Sequence, residues 1–416
     1  LIVFRLIFES FRFAKNALRS NPLRTSLSLA GVTVGIFVII GVLTLVDSLE
    51  KGLKDSFSFL GNGIIYVQKW PFIGSQDFPW WKYIQRPMAT YDEYEFLDEN
   101  LNNQKGICIF STRDNLTVKH QNNSYNEFTL FGTTFGYKDV FEFNLQSGRY
   151  FTMQEIAGAT NVALIGVNIK NQLFPNSDAI GEEIKIRGLK FVVVGLFEEE
   201  GENLIDTPSD DEVVVIPYFS FKKMFTTGRY DGTESVIAIK GLDEDTNLNA
   251  LEGELLGLMR SVRGLKPTEE NNFELNKPEA IANVIGDLFK VLSTVGWVIG
   301  LFAILIGGFG IANIMFVSVK ERTGIIGIQK SLGAKNYFIL LQFLFESVFL
   351  CLLGGVTGIF LVYLFTFIEL GRLELILNAK NIALAFTLVC SIGVIFGLLP
   401  ALTASRMDPV IAIRSN

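Results

Sequence analysis

Four uncharged stretches constrain this chain more than any other feature. Residues 25–46, 291–319, 347–368 and 381–405 each hold 22 or more residues with no Asp, Glu, Lys or Arg. At 1.5 Å of rise per residue, each is long enough as a helix to cross a hydrocarbon core of roughly 30 Å. Their placement is lopsided, with one run, a polar stretch of more than 200 residues, and three further runs close together. The fold class expected is a membrane protein of four transmembrane α-helices in a 1 + 3 arrangement. A large α+β extracytoplasmic domain is inserted between the first and second. A hydrophobic content of 49% agrees with membrane composition carrying a folded domain.

Charge gives the expected orientation. Residues 1–25 carry Arg5, Arg12, Lys15, Arg19 and Arg24 against Glu9, and the stretch after the second run carries Lys320, Arg322, Lys330 and Lys335 against Glu321 and Glu346. The tail has Arg406 and Arg414 against Asp408, so the acidic surplus behind the net charge of −7 falls on the insert and its flanks. Short basic segments stay in the cytoplasm, so both termini are expected inside and the insert outside. The first apolar run is too long for a cleaved signal peptide and no A-x-A-like site follows it. Cys351 and Cys390 fall within runs and Cys108 is alone in the insert, so no disulfide framework is expected.

Residues 1–25 read as a cytoplasmic interfacial helix, with Phe4, Ile7, Phe8 and Phe11 opposite Arg5, Glu9 and Arg12. The first transmembrane helix and a stalk are expected over 26–60, because Leu49, Leu53 and Phe57 keep helical spacing past Asp47. A matching stalk and the second transmembrane helix are expected over 278–320. There Pro278 and Glu279 suit a first turn, and Ile281, Val284, Ile285 and Leu288 form one stripe. Two such helices would pack together as a stalk, or each would pack on the soluble domain. The α+β domain is expected over 61–277, with an inserted subdomain at about 127–230. Its strand-like stretches are 64–68, 107–110, 128–132, 162–165, 191–197, 213–216 and 235–240, and its helix-like stretches 91–101 and 248–262. The remainder reads as a cytoplasmic segment (321–336), a third transmembrane helix (337–368), a short outer loop (369–380), a fourth transmembrane helix (381–405) and a cytoplasmic tail (406–416).

Catalysis finds little support. His120 is the one histidine, which argues against His-rich metal sites and a Ser-His-Asp triad. No Gly-Lys dipeptide occurs, so there is no P-loop, and any ATP hydrolysis falls to another chain. The acidic clusters at 198–200 and 209–212 read as solvated loops. Ionisable groups inside the spans are almost absent: only Glu346 qualifies, and it can sit at the cytoplasmic end of its span, which argues against an ion-coupled transporter with midplane carboxylates. Every span carries a Gly-x-x-x-Gly pair: Gly31/Gly35, Gly296/Gly300, Gly354/Gly358 and Gly393/Gly397. Such pairs let helices approach closely, in a bundle or at a dimer seam.

The most specific stretch follows the second span: SVKERTGIIGIQKSLGAK at 318–335, a short helix expected to be capped by Gly333 beneath the membrane. With GGFGIANIM at 307–315, GGVTG at 354–358, PALTASRMDP at 400–409 and FNLQSGRYFT at 143–152, it resembles the MacB/LolE/FtsX permease family of ABC transporters. The likeness is greatest to MacB-like permeases without a fused ATPase. It implies a homo- or heterodimer of four-span subunits in the bacterial inner membrane, with a two-part periplasmic domain and stalks that pass motion through the membrane. It implies a separate ABC ATPase that binds ATP and Mg, no cofactor in this chain, and a periplasmic adaptor and outer-membrane channel as further partners beside membrane lipid. Nucleic acid is not an expected partner. The coupling positions it implies are Lys320, Glu321, Arg322, Thr323, Ile326, Gly327, Ile328, Lys330, Leu332, Gly333 and Ala334. The chain departs from the family where a charged pair is usual, at Gly324-Ile325, and where an arginine is common, at Gln329. The implied function is ATP-driven mechanical export or release of a peptide, drug or lipoprotein. The alternative is an FtsX-like transmitter that controls cell-wall hydrolases and moves nothing.

Overall fold

The computed structural model describes residues 22–74, 79–141, 143–201, 210–368 and 372–414. The interfacial helix expected within 1–25 lies outside them, apart from the first residues of α1. In chain order, α1 is Pro22–Ser56, β1 Ile64–Gln68, α2 Tyr91–Asn100, β2 Gln104–His120, β3 Asn123–Thr133 and β4 Leu145–Gly148. There follow β5 Val162–Ile165, β6 Glu183–Ile186, β7 Leu189–Phe197, β8 Val213–Pro217, β9 Ser235–Gly241, α3 Asn249–Val262 and β10 Glu274–Asn276. The C-terminal part contains α4 Pro278–Glu321, α5 Thr323–Ser331, α6 Asn336–Phe365, α7 Ala379–Ser405 and α8 Pro409–Arg414. The chain divides into a membrane unit (up to 52, and from 286) and an extracytoplasmic unit (53–285). Among the described residues four helices, α1, α4, α6 and α7, are long and apolar enough to cross a membrane.

In the membrane unit the eight glycines of the Gly-x-x-x-Gly pairs sort into three seams. Gly31 and Gly35 meet Gly307 and Ala303, while Gly296 and Gly300 meet Val42 and Ile39, so α1 and α4 lie against each other at antiparallel register. A Cβ on Gly307 would stand 3.0 Å from the Gly31 backbone. Gly354 and Gly358 bring α6 onto Val32, Thr33 and Ile36 of α1, and Gly393 and Gly397 bring α7 onto Val348 and Ser347 of α6. Hydroxyls join the same seams: Thr33 Oγ1 donates to the Gly354 carbonyl (3.2 Å) and Ser347 Oγ to that of Gly393 (2.8 Å). Ile36, Ile39, Ile40, Ile311, Met315, Phe343, Leu350 and Val389 fill the core between them. At the opposite end of α7 from its Pro400, Asn381 Nδ2 donates to Asp47 (2.9 Å) and the Ile376 amide to Ser48 Oγ (3.0 Å).

The two expected stalk segments are helical. Gly61 and Gly63, both at positive φ, follow α1 after a short 3-10 turn, and α4 starts at Pro278. Leu49, Leu53, Phe57 and Ile281 are half-buried. The stripe on α4 is rotated from expectation: Ile285 and Phe289 are buried, whereas Val284 and Leu288 are 43% and 61% exposed. The helical period alone does not say which part of a wide apolar face finds cover.

The extracytoplasmic unit is built on one ten-stranded sheet of order β10-β1-β9-β2-β3-β8-β5-β7-β4, with β6 pairing β2 and β7. The first half of β2 pairs β9 and its second half pairs β3 and β6. The strands of the expected insert therefore continue the same sheet through β2. All seven strand-like stretches and both helices read from the sequence are present. The strands not foreseen, β4, β6 and β10, have only three or four residues. β6 is held by a tight turn whose central residues Arg187 and Gly188 both have positive φ, the pattern of a type I′ hairpin.

The two longer helices of this unit, α2 and α3, each start on a side chain that satisfies free amides. Thr90 and Glu93 form a reciprocal capping box on α2, and the Asp245 carboxylate accepts from the amides of Asn249, Ala250 and Leu251 of α3. Arg263, immediately after α3, then ties the two together. Its Nε and a terminal nitrogen donate to both oxygens of Glu93 at 3.0 Å, and its other terminal nitrogen donates to the Asn272 carbonyl at 2.8 Å. Arg263 is 1% and Glu93 5% exposed at the side chain.

Two predictions follow from this packing. Gly307→Leu should lower the stability of the detergent-solubilised chain by about 1–3 kcal/mol in thermal unfolding, the range for overpacking. Gly41→Leu, on a face of α1 with nothing within 4 Å, should not. Arg263→Ala, which removes both hydrogen bonds to buried Glu93 and leaves it only the longer pair with Arg229 (3.6 Å), should cost up to about 3–5 kcal/mol, the range for breaking a buried pair. Lys105→Ala, which breaks the exposed pair with Asp243, should cost less than about 1 kcal/mol.

Candidate functional site

The stretch singled out in the sequence lies where α4 ends. Thr323 Oγ1 donates to the carbonyls of Val319 (3.1 Å) and Lys320 (2.9 Å), Arg322 leaves helical geometry, and the chain turns into α5. Its C-terminus closes as a Schellman motif. The Ala334 amide donates to the Gln329 carbonyl and that of Gly333 to Lys330, with Gly333 at φ +96°. Glycine fits that conformation without strain, which fixes where α5 ends.

Three contacts hold α5 in place. Arg322 pairs with Glu346 of α6 at 3.1 Å, and the Glu346 side chain is 1% exposed. Lys330 Nζ donates to the Ser405 carbonyl (2.8 Å) and the Met407 carbonyl (2.7 Å), satisfying acceptors at the end of α7. Gly327 presents its bare backbone to Ala412 and Ile413 of α8, so close that a Cβ there would be 2.9 Å from the Ala412 methyl. Ile326 is buried on the same side.

The opposite face is apolar and open. Ile325 and Ile328 are exposed, Leu332 is 84% exposed, and Val410 and Ile411 of α8 are exposed nearby in sequence to the packed pair. Lys320 and Glu321 are exposed at the end of α4, Gly333 is exposed, and Ala334 is half-buried. The positions implied by the family resemblance thus fall at the end of α4, along α5 and in the turn after it, with an inward side (Arg322, Ile326, Gly327, Lys330) and an outward side (Ile328, Leu332). Sequence reading missed α8 as the backing of α5 and Glu346 as its tether. The one signal available was that Glu346 is the only acid within the expected third transmembrane helix, 337–368.

The comparisons agree with this architecture. Residues 25–258 match the family model of the MacB-like periplasmic core domain, and residues 297–409 that of the FtsX-like permease C-terminal region. The chain belongs to the MacB-like ABC permease family. The second match takes in all of α5 and the turn into α8 of this MacB-like permease. It is 28% identical to the uncharacterized ABC transporter permease YvrN of Bacillus subtilis, over 98% of this chain and 100% of that one. It is 27% identical to the macrolide export ATP-binding/permease protein MacB of Rhodopirellula baltica, over 96% of this chain and 61% of that one. This MacB-like permease therefore spans about three fifths of the length of the ATP-binding/permease relatives it matches. Among solved structures, the periplasmic region of MacB from Actinobacillus actinomycetemcomitans aligns with 54% of the chain and 94% of its own length, at 17% identity and a TM-score of 0.43.

The tether makes a prediction of its own. Arg322→Ala should destabilise the chain by about 3–5 kcal/mol, because it strands a buried carboxylate, whereas Arg322→Met combined with Glu346→Leu should recover most of that loss. Thermal unfolding of the three proteins in detergent measures both.

Proposed function

We propose that this permease passes ATP-driven motion from a cytoplasmic ABC ATPase to its extracytoplasmic domain, and that α5 is the element the ATPase engages. The observation that carries this reading is the two-sided character of α5. One side is tied to α6, α7 and α8 by an ion pair, two carbonyl contacts and a close glycine contact, and the other offers exposed Ile325, Ile328 and Leu332. An element built in this way moves with the helices behind it. Both termini lie inside in this reading, supported by the basic residues of the 320–335 stretch and the tail. α4 supports a second permease copy: Val284 and Leu288 precede the uncharged run and are exposed, so a partner's stalk would remove them from water.

Cargo is export-type in this reading, because relatives of the chain are named for macrolide export. An amphiphilic drug, a peptide or a released lipoprotein each suits a domain that works on the outer side, with an adaptor and outer-membrane channel beyond it. FtsX-like signalling to a cell-wall hydrolase is the second reading, supported by the match over 297–409.

The test is association of the purified chain with candidate ABC ATPases of the same organism. Ile328→Asp with Leu332→Asp should weaken association about tenfold or more, since each leucine-sized contact contributes about 1.5–3 kcal/mol when buried. Leu242→Asp, at an exposed site of the outer unit, should leave it unchanged. Unchanged binding by the double variant would overturn the assignment of α5. Cargo-stimulated ATP turnover separates transport from signalling.

A further inference from the structure

Within the extracytoplasmic unit, both faces of β1 are covered, and the face away from α2 and α3 looks onto a cluster of rings. Tyr66 lies 5.5 Å from Phe72 and 6.3 Å from Phe141, and Tyr137 lies 4.5 Å from Phe141, centroid to centroid. Phe110 stands 5.9 Å from Phe141 and 6.0 Å from Phe131. These rings wall a cavity of about 270 Å³ that also takes in Asp114 and Asp210. No basic residue is among its lining residues. An adjoining cavity of about 250 Å³ shares Tyr137, Phe141 and Asp210 and adds Glu200 and Lys240.

Asp210 is the unusual member. Its amide donates to Glu200 (3.2 Å), and Asp211 beside it is engaged by the amides of Glu200 and Gly201 (3.1 and 3.0 Å). Among the described residues, no hydrogen-bond donor reaches the Asp210 carboxylate. Burial, with Glu200 and Asp211 nearby, pushes its pKa up to about 7. Asp114, by contrast, accepts from Thr129 Oγ1 at 2.8 Å.

We infer that this cavity is a binding site for an alkylammonium group, held by the Asp210 carboxylate and the surrounding ring faces. A cation relieves the charge crowding among Asp210, Glu200 and Asp211. Aromatic walls favour an organic cation, whose alkyl groups gain by burial while its charge is attracted to the ring faces. A hard metal ion needs six or more oxygens, and among the described residues no group of three His, Cys, Asp or Glu side chains gathers to hold one. The volume is near the lower end for ligand pockets, so it suits a compact ammonium group or the head of a longer amphiphile. The inference goes beyond the proposed coupling to an ATPase and does not depend on it.

The experiment uses the full chain in maltoside micelles without ATPase, with choline as the probe in calorimetric titration. The control ligand is the uncharged isostere in which tert-butyl replaces trimethylammonium. Choline should bind saturably and about tenfold or more tightly than the isostere, the scale of one charged contact. Asp210→Asn should weaken choline by a similar factor and bring the two ligands close together, with the thermal unfolding profile retained. Asp114→Asn should have a smaller effect. Choline binding should strengthen as pH rises through about 7, where Asp210 ionises in the company of Glu200, Asp211, Asp114, Tyr66, Tyr137 and Lys240. Equal binding of the isostere, absence of choline binding, or a folded Asp210→Asn protein with unchanged affinity would each overturn the assignment. None of these outcomes bears on whether α5 engages an ATPase.

Discussion

Lipid tails are as apolar as leucine, so greasy side chains alone give helices in a bilayer no reason to associate. What remains is contact distance and the hydrogen bonds that close approach permits. The membrane unit is organised by that constraint. Where Gly31 meets Gly307 and Gly35 meets Ala303, the backbones of α1 and α4 come together with no side chain between them. The same approach lets Thr33 reach the Gly354 carbonyl and Ser347 that of Gly393. Each hydroxyl then lies in a seam instead of facing lipid. The antiparallel seam of α1 and α4 runs along much of both helices, from Gly31 and Gly307 to the approach of Glu50 and Gly286. Two helices locked at that spacing cannot readily shift by a residue, because the knobs Val42 and Ile39 already occupy the notches at Gly296 and Gly300.

The same logic reaches α5. Gly327 allows α8 to come within methyl contact, and the ion pair and lysine contacts pin the two ends. A nine-residue helix alone in water would be marginal, because nucleation is costly and few bonds offset it. Tertiary contact and the Schellman closure make it a defined element. In the proposed reading this matters more than its charge, since a frayed segment would absorb displacement that a pinned one passes on.

The long periodic segments were legible in the sequence. Uncharged runs of 22 or more residues gave the four spans, and alternating or all-apolar stretches gave seven of the ten strands. Pro278 and Gly333 marked helix ends through capping chemistry that depends only on local residues. What was not legible depended on neighbours. β6 exists because β2 and β7 offer edges to it, and four residues carry no period of their own. The exposure of Val284 and Leu288 follows from where α4 finds cover, which its stripe does not state. In the candidate site, the outline of α5 was readable while its attachments to Glu346, Ser405 and Ala412 were not, because each partner is distant in sequence. Asp210 read as part of a solvated acidic loop. Its place beside the rings of Tyr66, Phe110, Phe131, Tyr137 and Phe141 came from segments distant from it in sequence.

The departure at Gly324-Ile325 and Gln329 bears on how such an element would be gripped. A charged contact at a water-exposed joint contributes about 0–1 kcal/mol, because both partners are well solvated before they meet. Burying an isoleucine or leucine contributes about 1.5–3 kcal/mol. Replacing a charged pair by glycine and isoleucine therefore need not loosen the joint, provided that Ile325, Ile328 and Leu332 meet an apolar groove. What it changes is discrimination. Charged contacts reject wrong partners through repulsion, whereas aliphatic contacts select by shape alone. In the proposed reading, the partner ATPase of this permease would be recognised by the contour of its groove, and ionic strength would have little effect on the complex.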